Sequence, residues 1–375
     1  MLLSLSDGQD GIAVRFICKQ NTLKITLKND KIERYILLCE SFYSNLHNKE
    51  KEEIQVIKKM MWSAMLFLMC VAVGHGQYNG ECWVVSSGLT VYKLHANGDA
   101  DPAAIEGLTN ASAVEVNPVN GVVWIAVPAN SVVFRYDPTE GNFEQTPQIK
   151  APTGISINPT DGTVWVAGLD GVHKISADGK DILAQVIPPD GPANLDSGRF
   201  NVAVNPKDGS CWITDGKGPI ARYDANGNLL ANAPPMDEPK GGLSVDYQSN
   251  VWVADTQSSR IIRLSPNGEI LVDITDIPNP VSPSVNPKDG SVWLAGNNSM
   301  LINLSPTGTK LKEFEVGMAL VAVTYSPSDG EIWVADLLGE TFQGQVSKWT
   351  AAGVRRFANA IPQPSTVSIG FWEGN

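Results

Sequence analysis

Three aspartates, Asp215, Asp255 and Asp336, each follow directly on a short strand-like phrase: CWIT, VWVA and IWVA. Carboxylates converging on one axis could gather a hard cation such as Ca2+ or Mg2+, which takes several oxygen ligands. The same aspartate can instead cap its own loop by accepting backbone N–H groups. Glu115 is a second kind of candidate. The residues that correspond to it in related phrases are Ser156, Ala203, Ser244, Ser284, Thr324 and Ser368, all small. A carboxyl in a row of small residues is either a ligand group or a charge reaching channel water. Two lengthened loops add Asp196 and Arg199 in one, and Glu340 and Gln343 in the other. Asn110, Asn297 and Asn303 each open an Asn-x-Ser sequon, an acceptor for N-linked glycans. No Ser-His-Asp order, glycine-rich phosphate loop or paired Cys/His spacing is present, so nucleophilic and zinc chemistry lack their residues.

Those candidates need elements to hold them, and the elements repeat. The phrase apolar-small-apolar, Asn-Pro-x-Asp-Gly, x, Val-Trp-Val-Ala returns as VEVNPVNGVVWIA, ISINPTDGTVWVA, VAVNPKDGSCWIT, LSVDYQSNVWVA, PSVNPKDGSVWLA and VTYSPSDGEIWVA. Its tryptophans stand at 83, 124, 165, 212, 252, 293 and 333, a period of about 41 residues. That is the length of one four-stranded propeller blade. The alternating first strand ends in a turn where Pro presets φ, Asp bonds nearby backbone and Gly takes positive φ. The Trp strand follows. A third strand ends in Ser-Pro-Asn-Gly or a relative, which turns the chain into the fourth. The expected fold is therefore all-β: a seven-bladed propeller over residues 77–375. Its ends complete one another, because NGECWVV is a second strand lacking its first and TVSIGFWEG is a first strand lacking its second. Pairing the C-terminal strand with the N-terminal blade closes the ring and removes the open inner edge.

The seven tryptophans hold one repeat position, and large aromatics there read as core between blades rather than as sugar-stacking faces. Cys82 and Cys211 precede two of them where other blades have Val or Ile, so they read as buried free thiols. Lys93, Arg135, Lys174, Arg222, Arg263 and Lys348 recur on third strands and read as a solvated outer flank. Loops joining fourth to first strands and second to third strands share one face, which the lengthened loops mark as the functional top.

Residues 61–76 carry no charge and follow Lys58 and Lys59. The apolar run ends in Gly74 and Gly76, as a secretory signal does. Cleavage before Gln77 makes residues 1–60 an upstream extension outside the fold and the propeller a secreted, extracellular protein. Residues 77–375 hold 32 acidic against 18 basic side chains. Such a surface repels nucleic acid and anionic membrane.

The phrases NPKDGSVWLA and VWVADTQSSRIIRLSPNGE resemble NHL-type propellers and, across all seven blades, streptogramin lyases. The resemblance implies a seven-bladed fold, and for the lyases catalytic histidines with a magnesium ion near the axis. Here only His95 and His173 follow residue 77, both on third strands away from the axial mouth, so the lyase activity is not carried over. The expected function is a secreted, non-catalytic binding or scaffold propeller, without a cofactor. Its top face recognises a small molecule, a glycan or an extracellular protein, and monomer is the default state. Two alternatives stay open: a Ca2+- or Mg2+-assisted hydrolase or lyase at the axial mouth, and a glycan-binding propeller.

Overall fold

The computed structural model describes residues 80–86, 90–101, 105–108, 110–187, 201–214, 220–237, 239–297, 299–337, 344–362 and 364–369, with four N-terminal strands. Those four are β1 (Leu2–Ser6), β2 (Ala13–Lys19), β3 (Thr22–Leu27) and β4 (Arg34–Leu37). They form an antiparallel meander in a unit of their own, Met1–His75, apart from the unit Gly76–Asn375. The segment read as a secretory signal lies outside the described residues.

The second unit is an all-β propeller of seven four-stranded antiparallel sheets. Blade 1 is made from both ends of the chain. Its first strand, Pro364–Ile369, pairs with Cys82–Ser86, which pairs in turn with Thr90–Leu94 and Ile105–Glu106. First strands of blades 2 to 7 are Ala113–Val116, Gly154–Ile157, Asn201–Val204, Leu243–Val245, Val281–Val285 and Leu320–Tyr325. Each packs on the next, and the strand of blade 1 closes the circle between blades 7 and 2.

Local chemistry explains the turns. In Asn-Pro-x-Asp-Gly, the Asn205 Oδ1 accepts from Lys207 N at 3.1 Å and Asp208 Oδ1 accepts from Ser210 N at 3.0 Å. Gly209 then supplies φ +70°, which a side chain would strain. Asn158 with Asp161, and Asn286 with Asp289, repeat the arrangement.

The core lies between blades, in seven clusters. Trp83 packs on Val114, Val123 and Ile125 of blade 2, and around the ring Trp333 packs on Cys82, Val84 and Leu94 of blade 1. All seven tryptophans are at most 3% exposed. Burying one such ring removes about 150–250 Å2 from water, a gross gain of ~4–6 kcal/mol. Cys82 and Cys211 are buried, unpaired thiols in two of these clusters, and burial pushes both pKa values up.

Four of the six third-strand cations are not a solvated flank. Lys174, Arg222, Arg263 and Lys348 are 7%, 8%, 9% and 1% exposed. Lys174, Arg263 and Lys348 each lie over the tryptophan of their own blade, 5.2–6.0 Å from the ring centre. All four donate to a carbonyl in the third-to-fourth-strand turn of the following blade: Ala225, Pro266, Pro306 and Ala96 respectively. Asp208, Asp246 and Asp329 of the Pro-containing turns or their counterpart neutralise Arg222, Arg263 and Lys348. A long cation with an apolar stem fits this place because the stem covers the indole while the head satisfies buried acceptors. In blades 3, 4, 5 and 7 the repeat position thus staples one blade to its successor.

Candidate functional site: the axial channel

The register puts one residue of each first strand opposite that blade's tryptophan: Glu115, Ser156, Ala203, Ser244, Ser284, Thr324 and Ser368. Paired residues share a face of the sheet, so these side chains point toward the next blade's first strand beside the axis. The serines are small for a reason the sequence pattern hid. Ser156 Oγ accepts from Val204 N, Ser244 Oγ from Val285 N, Ser284 Oγ from Tyr325 N and Ser368 Oγ from Val116 N, at 2.9–3.3 Å. Each hydroxyl ties one first strand to the next where no ladder exists between blades.

Below this ring the first strands enclose a cavity of about 340 Å3. It is lined by Glu115, Ser156, Ala203, Ser244 and Ser284, and its rim is set by residues of the first-to-second-strand turns. Those rim residues are Pro118, Pro159, Pro206, Pro287 and Pro327, with Tyr247 in place of proline in blade 5. Tyr247 is 40% exposed. The phrase LSVDYQSNVWVA shows in the sequence that blade 5 departs from Asn-Pro. What that departure faces required the closed ring.

Glu115 is the one ionisable side chain in the row of seven. Its Oε2 accepts from the Ser368 hydroxyl at 3.1 Å, and that hydroxyl also accepts from Val116 N. Burial raises the carboxyl from its ordinary 4.5 to about 7, against the lowering effect of the Ser368 bond. Asp246, also in the lining, is 1% exposed and already ion-paired with Arg263. Among the described residues, the cavity therefore holds one carboxyl without a cation beside three serine hydroxyls.

The other sequence candidates are placed elsewhere. Asp336 is fully buried at the end of its second strand, where Oδ1 accepts from Met318 N at 3.1 Å and Ala319 N at 2.8 Å. Its Oδ2 accepts from Gln345 Nε2 at 3.2 Å. It holds a loop together, the structural role such an aspartate can take. Asp255 is fully buried in the corresponding place of blade 5. Among the described residues no three His, Cys, Asp or Glu side chains stand close enough to share a metal ion. Asp215, Asp196, Arg199, Glu340 and Gln343 lie outside the described residues.

His173, on the third strand Gly171–Ile175, is 3% exposed with Nε2 3.1 Å from Asp170 Oδ1. His95 lies one residue past its third strand, between Asp101 and Glu81 at 2.9 and 3.0 Å. The Asp101 bond, chiefly, raises its pKa despite some desolvation. Neither histidine lines the cavity. Asn110 and Asn297 are exposed in loops with φ +56° and +48°, a conformation asparagine tolerates better than most side chains. Asn303 is different from what its sequon suggests. It is 5% exposed, occupies the third-strand position that other blades give to a cation, and donates Nδ2 to Val292 O at 3.2 Å. A folded chain does not offer that amide for glycosylation.

No protein-family model and no curated protein matches the chain. Solved structures do match in fold. A streptogramin B lyase structure superposes with a TM-score of 0.55 at 16% identity, covering 77% of this chain and 91% of that one. The virginiamycin B lyase of Staphylococcus aureus gives 0.55 at 17% identity, over 69% of this chain and 92% of that one. A chain of the mitotic checkpoint complex gives 0.56 at 11% identity, over 66% and 76%. At these identities the likeness shows a streptogramin-lyase-like propeller fold and leaves activity to the residues.

Proposed function

We propose that this chain is a secreted, non-catalytic binding propeller that takes a small ligand in the axial cavity on its turn face. The observation that carries the reading is the cavity itself. It is concave, ringed by proline and tyrosine, and furnished inside with a few convergent polar groups, the usual composition of a small-molecule site. Glu115 stands where the repeat otherwise uses small residues, at a cost in desolvation that packing alone does not require. A binding reading gives that cost a purpose. Lyase activity belongs to the proteins of similar fold; this chain has no histidine at the cavity to support it.

The test is a ligand-observed NMR screen of small amines, polyols and carboxylates against the full-length chain. Ala203→Met serves as control, since a methionine there would grow into the cavity from a position that makes no hydroxyl staple. Binding that is present in the parent and lost in Ala203→Met supports the reading. Binding unchanged by the plug would move the site elsewhere and overturn it.

A further inference from the structure

Resting on that binding reading, we propose that the axial cavity takes a compact primary ammonium group, paired with the Glu115 carboxylate and faced by the Tyr247 ring. The first ground is an unmatched charge. Three other recessed carboxylates of the propeller have their compensation within the protein: Asp246 has Arg263, Glu331 has Lys348 and Arg356, and Asp336 has three N–H donors. Glu115 has the Ser368 hydroxyl on Oε2, and no described protein group bonds its Oε1. A half-buried carboxylate without a cation beside it carries a desolvation cost, and a cationic ligand is the group that relieves it.

The second ground is independent of the charge. Among the described rim residues, proline recurs except at blade 5, where Tyr247 joins the same lining as Glu115 from three blades further round the ring. An aromatic side chain and a carboxylate lining one cavity are the pairing that recognises a cation with apolar substituents. Hydrogen-bond capacity then selects among cations. A primary ammonium carries three N–H donors. One fits Glu115 Oε1, and the others meet hydroxyl oxygens of Ser156, Ser244 and Ser284, each of which has spent one lone pair on a neighbouring N–H. An anionic ligand would instead meet Glu115 directly.

Among the described residues, the elements packed around Glu115 bring no competing charge. The first strands of blades 1 and 3, PSTVSI and GISI, and the second strand of its own blade, VWIAV, contain no ionisable side chain. Asp246 and Tyr247 are the other titratable groups of the lining, and Asp246 is held by Arg263. Ammonium binding should therefore follow the ionisation of Glu115, weakening about tenfold per pH unit once the carboxyl is protonated.

The experiment titrates the full-length chain with n-butylammonium chloride, butan-1-ol, myo-inositol and sodium butyrate at pH 8 and pH 5.5, reading affinity by ligand-observed NMR. The parent, Glu115→Gln, Tyr247→Ala and Ala203→Met are compared, with thermal melts to confirm folding of each. The expected result is butylammonium binding at pH 8, with loss at pH 5.5. Glu115→Gln weakens it by about tenfold or more, as removal of a charge-assisted hydrogen bond should. Tyr247→Ala weakens it less, and butanol at equal concentration does not bind. If inositol or butyrate binds in an Ala203-sensitive way while butylammonium does not, the ammonium assignment falls and the cavity remains a binding site. If butylammonium binds equally to the parent and to Glu115→Gln, the assignment also falls. If no probe is sensitive to the Ala203 plug, both the assignment and the binding reading are overturned.

Discussion

Glu115→Gln should stabilise the propeller at alkaline pH and do nothing at acid pH. In the folded chain burial raises the Glu115 carboxyl from 4.5 to about 7. A raised carboxyl keeps its proton in the folded state after the unfolded chain has released it. Its relative stability is thus fully present below pH 4.5 and is lost as pH rises through 7. Each unit of separation is worth 1.36 kcal/mol, so the cost of an ionised Glu115 levels off near ~3 kcal/mol above pH 7.5. Glutamine keeps the shape and can keep a hydrogen bond with Ser368, but carries no charge to desolvate. For a chain of this size ~3 kcal/mol corresponds to a rise in Tm of about 5 °C. Urea unfolding of the parent and of Glu115→Gln from pH 4 to pH 8.5 measures it. The two stability curves should meet near pH 4 and diverge through pH 7. Parallel curves would refute the reasoning, for they would mean that Glu115 is as well solvated in the folded channel as in the unfolded chain. A divergence that saturating ligand abolishes would link the cost directly to binding.

Other predictions concern the staples and turns that hold the channel in shape. Lys348→Met leaves Asp329, Glu331 and the Ala96 carbonyl without the ammonium that joins them. Because Asp329 is about one-third exposed, the loss should fall near the low end for a broken buried pair, ~3 kcal/mol. Lys174→Met removes only the bond to Ala225 O and the contact with Trp165, so about 1 kcal/mol is expected. Equal losses in chemical denaturation would show that ion pairing is not what distinguishes the two blades. Gly98→Ala should destabilise the closing blade, since Gly98 has φ +98° and an added Cβ would stand 2.7 Å from the Phe357 ring of blade 7. A melt unchanged by that substitution would contradict the packing of the closure.

The local signals were strong because they act over a few residues. Asn-Pro-x-Asp-Gly encodes its own turn through an Asx bond and a positive φ, and alternating strands show which residues share a face. Counting tryptophans then gives seven blades, and the mismatched ends of the chain give the closure of Pro364–Ile369 on Cys82–Ser86. Even the two thiols follow from their place in the repeat. The third-strand cations misled because a strand pattern says which face a side chain takes but not what lies over it. Lys348 donates to Ala96, 252 residues away in the chain, and the cover over its indole comes from another blade. The same applies to the channel. Glu115 was legible as an exception in a row of small residues, whereas the serine staples, the tyrosine in the same lining and the burial that raises its pKa exist only once seven first strands stand side by side. Sequence fixed each blade because hydrogen bonding and alternation are local. Only the closed ring decided the cavity, because its walls, its dielectric and the lack of a described cation beside Glu115 are properties of neighbours that the chain brings together from separate blades.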